Sequence, residues 1–92
     1  MENIYKLKHI PTGLYYKPLN GTSSNLSKRG KIYQTNINAL LGNSDTITIR
    51  ISKKQYKENK DLFDPSNILI ASHGDYYLRC KKTDFEITYI NP

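Results

Sequence analysis

Basic and aromatic side chains crowd together between residues 8 and 33, KHIPTGLYYKPLNGTSSNLSKRGKIY, which hold five of the chain's fourteen Lys/Arg and three of its eight tyrosines. Lys8, Lys17, Lys28, Arg29 and Lys31 can neutralise phosphate oxygens. Tyr15, Tyr16 and Tyr33 can stack on bases, at about 1–3 kcal/mol per base. An arginine beside a serine-rich loop can also grip a phosphate with two parallel hydrogen bonds. Consecutive tyrosines on a strand point to opposite faces, so only one of Tyr15 and Tyr16 belongs to the core. The other stacks on a ligand or, in the plainer reading, covers a sheet edge or an oligomer contact. Tyr76-Tyr77 repeats the same alternative later in the chain.

Other chemistries find little support. A phosphate loop needs G-x-x-x-x-G-K-[ST] between strand and helix. Here Gly21 and Gly30 are too far apart, and Ile32 follows Lys31. Nucleophilic catalysis needs a serine or cysteine near a histidine with an orienting acid. Only His9 and His73 exist, and His73 stands in a turn beside Asp75 without being placed to be aligned by it. His9, at a strand end, reads as a structural residue or a phosphate contact. Cys80 reads as a small core filler, and as the single cysteine it excludes an intrachain disulfide and a Cys-based zinc site. The acids are scattered without calcium-loop spacing. A non-enzymatic chain with no cofactor and no metal is the expectation.

The elements that must position these residues follow from periodicity. Residues 4–9 alternate, with Tyr5 and Leu7 on one face and Lys6 and Lys8 on the other. Pro11-Thr12-Gly13 makes a turn into a return strand at 14–17, stopped by Pro18. Residues 19–30 read as a polar loop and 31–33 as a short strand. Asn36 can cap a helical turn that ends before Gly42. Residues 46–51 form the clearest strand, with Ile47, Ile49 and Ile51 on one side. Ser52 caps a helix from Lys53 to about Lys60, with Tyr56, and Leu62 and Phe63 after it, expected to face inward. Residues 68–71 read as a buried strand, 72–75 as a tight turn, 76–81 as a strand presenting Tyr76, Leu78 and Cys80 together, and 85–89 as the last strand. The expected fold is mainly β, with α+β as the runner-up: a small antiparallel sheet or open barrel of about six short strands with one or two short helices.

Composition sets the outer bounds. Ninety-two residues make a single domain, 1–92. With 37% hydrophobic residues and no tryptophan, the core is lean. Lean cores are often completed by self-association, so a homo-oligomer is one expectation. The net charge of +6 is lopsided: residues 1–35 hold six Lys/Arg against Glu2, the remainder eight against seven acids. A basic N-terminal third favours an anionic partner. The lack of a signal-like or membrane-length apolar run points to the cytoplasm and away from a membrane.

Two segments carry a resemblance. KHIPTGLYYKP at 8–18 and SNLSKRGKIY at 24–33, with Phe85-Glu86-Ile87 near the end, resemble small uncharacterised bacteriophage proteins marked by KHxPTGLYY and NLSKxGKxY. The likeness covers the first third and the last few residues, and it carries over no catalytic residue. It implies a context in which small non-enzymatic phage proteins act by binding, whether they block a host machine, sequester a signal or coat nucleic acid. Two expectations follow. The chain binds nucleic acid or a nucleotide through its basic, tyrosine-bearing loop face. Alternatively it docks on a host defence or nucleic-acid-processing protein as an inhibitor, in the host cytoplasm.

Overall fold

A computed structural model of the chain describes residues 4–19, 24–34, 40–71 and 74–90. Alternating side chains build β1 (Tyr5–His9), whose Tyr5, Leu7 and His9 are buried while Lys6 and Lys8 look outward. The turn after it closes through the Gly13 N–H on the His9 carbonyl and the His9 N–H on the Leu14 carbonyl. The return strand β2 is only Tyr15–Tyr16. It is followed by β3 (Leu26–Ser27), β4 (Thr46–Ile51), the helix α1 (Lys53–Asn59), β5 (Ile68–Ile70), β6 (Tyr76–Lys81) and β7 (Phe85–Tyr89). Three short 3-10 turns complete the described elements, and no described helix is long and apolar enough to cross a membrane.

The fold is mainly β, with seven described strands divided between two antiparallel sheets. One has the order β3-β2-β1-β7 and the other β4-β6-β5. Period-2 patterning gives each sheet an apolar inner face. Tyr5, Leu7, Leu26 and Phe85 from the first join Ile49, Ile51, Leu78 and Cys80 from the second in one core. The α1 helix starts with a reciprocal cap: the Gln55 N–H donates to Ser52 Oγ, and the Ser52 N–H to Gln55 Oε1, each at 3.1 Å. Tyr56 stacks on Tyr76 with ring centroids 4.8 Å apart, docking the helix on the second sheet.

Several expectations change. The polar stretch 19–30 is not all loop, because Leu26 is almost wholly buried and pairs with Tyr16. Strand 31–33 reduces to one bridge, Tyr33 with Tyr5. Residues 68–71 do not form a buried strand. β5 lies at a sheet edge, bonded on one side only, and leaves Leu69 53% and Ile70 60% exposed. Asn36 and His73 lie outside the described residues.

Asn25 and Gln55 join the two sheets. The Asn25 backbone N–H donates to the Arg50 carbonyl on β4, and Asn25 Oδ1 accepts from the Arg50 N–H at 2.9 Å. Asn25 Nδ2 donates back to the Lys17 carbonyl, also at 2.9 Å. From the helix, Gln55 Nε2 donates to the Leu26 carbonyl at 2.7 Å. Buried Ser24 lies within hydrogen-bonding reach of Gln55 Oε1. Asn25→Ala would remove the acceptor of the Arg50 backbone N–H, at about 1–3 kcal/mol when desolvated, and the donor to the Lys17 carbonyl. It should lower unfolding free energy by about 2–3 kcal/mol, read from urea midpoints at unchanged m-value.

Candidate nucleic-acid interface

The outer face of the four-stranded sheet collects most of the predicted residues. Register places Ser27, Tyr15, Lys8 and Glu86 in one row across all four strands. Lys6 stands on the same side, opposite Thr88. Strand alternation puts Lys17 there as well. The Lys6 Nζ sits 5.3 Å from the Tyr15 ring centroid, in cation–π range.

The loop 28–31 is folded onto this face. β3 lies on the far side of β2, whereas Tyr33 bridges Tyr5 of β1, so the chain between them must cross β2. It crosses at Gly30, which has φ +67° and donates its N–H to Ser27 Oγ at 2.7 Å. A Cβ on Gly30 would fall 2.3 Å from Tyr15 Cβ. Only a residue without a side chain lets the backbone lie this close. Lys28, Arg29 and Lys31 are carried on either side of the crossing, all exposed.

The three tyrosines separate. Tyr15 alone faces outward. Tyr16 lies on the inner face, edge-on to Phe85 at 6.1 Å and tilted against Tyr33 at 6.3 Å. Its phenol pKa is raised by burial. Tyr33 is only 7% exposed and packs on Tyr5 at 6.2 Å. Burial, then Tyr16 and Tyr5, push its phenol up to about 12, and its hydroxyl has no hydrogen-bond partner among the described residues. Tyr33 is a core residue and Tyr16, half-buried, packs against the core from the inner face, so neither joins Tyr15 in a stacking set on the outer face. Lys31 Nζ nonetheless lies over the Tyr33 ring, 5.8 Å from its centroid.

Lys6 belongs to the face although it was not among the predicted contacts; its alternation with Lys8 was the available signal. Glu86 is the carboxylate in the row and opposes Lys8. Next to the loop, a cleft of about 380 Å³ is lined by Thr12, Leu14, Lys28, Gln55 and Glu58 among others, with Lys54 Nζ 3.8 Å from Glu58 Oε1.

His9 and Cys80 form a buried pair across the two sheets. His9 Nδ1 lies 2.8 Å from Thr12 Oγ1, and Nε2 lies 3.7 Å from Cys80 Sγ. The geometry is that of an orienter, a base and a thiol, but the side chains are sealed at 1% and 2% exposure for His9 and Cys80. Burial lowers the His9 pKa, against a smaller opposing pull from Asp84, and pushes the Cys80 thiol up to about 12. Both are therefore neutral at neutral pH, and the contact is a packing contact. No group of three His, Cys, Asp or Glu among the described residues could hold a metal ion.

Comparison with protein-family models, curated proteins and solved structures finds no match for this chain.

Two outcomes are expected. Gly30→Ala should destabilise by about 3 kcal/mol, through a clash with Tyr15 Cβ added to positive-φ strain. Gly13→Ala, at φ +74° with open space around it, should cost only about 1 kcal/mol; equal urea midpoints for the two would contradict the crossing geometry. The unfolded chain accepts a proton on His9 near pH 6.5, whereas the folded chain refuses it until lower pH. This stability is full above pH 6.5 and is lost as pH falls through the lowered folded value. Melting temperatures between pH 7 and 5 should slope down for the wild type and run flatter for His9→Gln.

Proposed function

We propose that the chain is a non-enzymatic binding protein that holds an anionic ligand, nucleic acid or nucleotide, on the outer face of its four-stranded sheet. The observation that carries this reading is the gathering of Lys6, Lys8 and Lys17 around Tyr15, under the loop bearing Lys28, Arg29 and Lys31. The lysines and Arg29 engage phosphates, and Tyr15 offers its ring to a base. A stacking base displaces the Lys6 ammonium from the ring and frees it for a phosphate. The +6 net charge speeds encounter with any polyanion. The resemblance to small phage proteins supports a bacteriophage setting and action in the host cytoplasm.

A second reading, inhibition of a host defence or nucleic-acid-processing protein by direct docking, draws on Ile10 and Ile32. They are 53% and 50% exposed and adjoin the basic segments in sequence. Basic residues would steer such a complex and the apolar pair would anchor it. Pull-down from nuclease-treated host lysate separates the readings, because only a protein partner survives the nuclease.

With about five phosphates engaged, log K for a single strand should fall against log[salt] with a slope of about −3.5. Lys28→Ala with Arg29→Ala should weaken binding about tenfold or more and make that slope shallower by about 1.4. Fluorescence anisotropy across a salt series measures both, and indifference to salt and to the double substitution would sink the reading.

A further inference from the structure

The three-stranded sheet has an outer face of its own. Ile49, Ile51, Leu78 and Cys80 are buried on its inner side, so the intervening residues look the other way. Cross-strand register assembles them in rows. Leu69, Tyr77 and Arg50 form one, Arg79 opposes Thr48 in the next, and Lys81 opposes Thr46 at the end. Thr46, Thr48, Leu69, Arg79 and Lys81 are exposed on this face, while Tyr77 and Arg50 are half-buried.

The strand residues of this face carry cations only, and the Asp84 carboxylate at its far end accepts from the Lys81 backbone N–H at 2.9 Å. Asp75, beside the Tyr77 row, is taken up by the Arg50 guanidinium at 2.5 Å. Arg79 and Lys81 make no ion pair among the described residues. Two cations therefore continue along β6 from an aromatic ring, each step of two residues advancing about 6.7 Å. Across the sheet, Leu69 extends the apolar surface of Tyr77 and Arg50 borders it with a planar cation.

We infer that this face is a second contact surface for single-stranded nucleic acid, with a base stacked on Tyr77 beside Leu69 and successive phosphates on Arg79 and Lys81. Single strands fit better than duplex, in which base faces are hidden by stacking and pairing. A row of cations suits a chain of phosphates better than an isolated nucleotide. The two sheets share one core through their inner faces, so their outer faces point apart. One molecule then contacts two separate segments of strand. The inference rests on the proposed function for the class of ligand, while its residues are entirely different.

The test is titration of a fluorescein-labelled short oligothymidylate with the full chain. Arg79→Ala with Lys81→Ala is expected to weaken binding about fivefold or more at unchanged melting temperature, and Tyr77→Val to do the same. Wild-type protein should take two equivalents of the short probe and the Arg79/Lys81 variant one. If Tyr77→Val lowers the melting temperature, the exposed Arg79/Lys81 pair decides. Unchanged affinity and stoichiometry in that folded pair overturn the inference. Lys28→Ala/Arg29→Ala, run in parallel, keeps the two readings apart. Loss of affinity in that variant alone upholds the four-stranded face and overturns this one; loss in the Arg79/Lys81 variant alone does the reverse. No binding by the wild type overturns both.

Discussion

The joint made by Asn25 and Gln55 is the interaction on which the rest of the molecule depends. β2 and β3 are two residues each, far too short to hold an edge through ladder bonds alone. Asn25 ties them to β4 by copying the backbone pattern with its side chain, and Gln55 ties them to α1 while completing that helix's cap. The same amide groups thus close a helix end, extend a strand and connect two sheets. Because they are satisfied at both ends, the polar segment 24–27 can lie against the core with Leu26 buried in it.

From that joint follows the placement of charge. Once the inner faces are given to Ile, Leu and tyrosine bodies, strand alternation sends lysines and arginines outward on both sheets. Neutral His9 and Cys80 meet where the sheets do, so no charge is trapped in the core among the described residues. The inner aromatic group of Tyr5, Tyr16, Tyr33 and Phe85 does the packing that tryptophan and further phenylalanines would do in a richer core. One phenol, that of Tyr33, is left without a hydrogen bond among the described residues, an energetic cost borne directly beneath the basic surface.

Legibility in the sequence tracked how local the determining contacts are. β1, β4, β6 and β7 carry clean alternation, and the Ser52–Gln55 cap is a short-range signal. β3 was hidden because its state is set by Gln55, twenty-nine residues from Leu26. β5 misled because an unbroken apolar run does not distinguish a central strand from an edge. Alternation showed that Tyr15 and Tyr16 must part, but only the pairing of Tyr16 with Leu26 determines which goes inward. Nothing local marks Tyr33 as buried; its bridge to Tyr5 and its packing on that ring decide it. Tyr77, Arg79 and Lys81 could be assigned to one side of a strand, yet their alignment with Arg50 and Leu69 is a matter of register between distant segments.

The open strand β5 bears on how the protein survives at high concentration. Free edges invite templated pairing between chains, and other folds blunt them with lysine, proline or a bulge inside the strand. Ile68-Leu69-Ile70 has none of these within it. Its protection is brevity: Asp64 and Pro65 interrupt the chain just before it, and the Ala71–Asp75 bond turns it back just after. Three residues offer too few outward bonds to nucleate a fibril or a domain swap. The punctuation around this strand therefore matters more to colloidal behaviour than the identity of its apolar side chains.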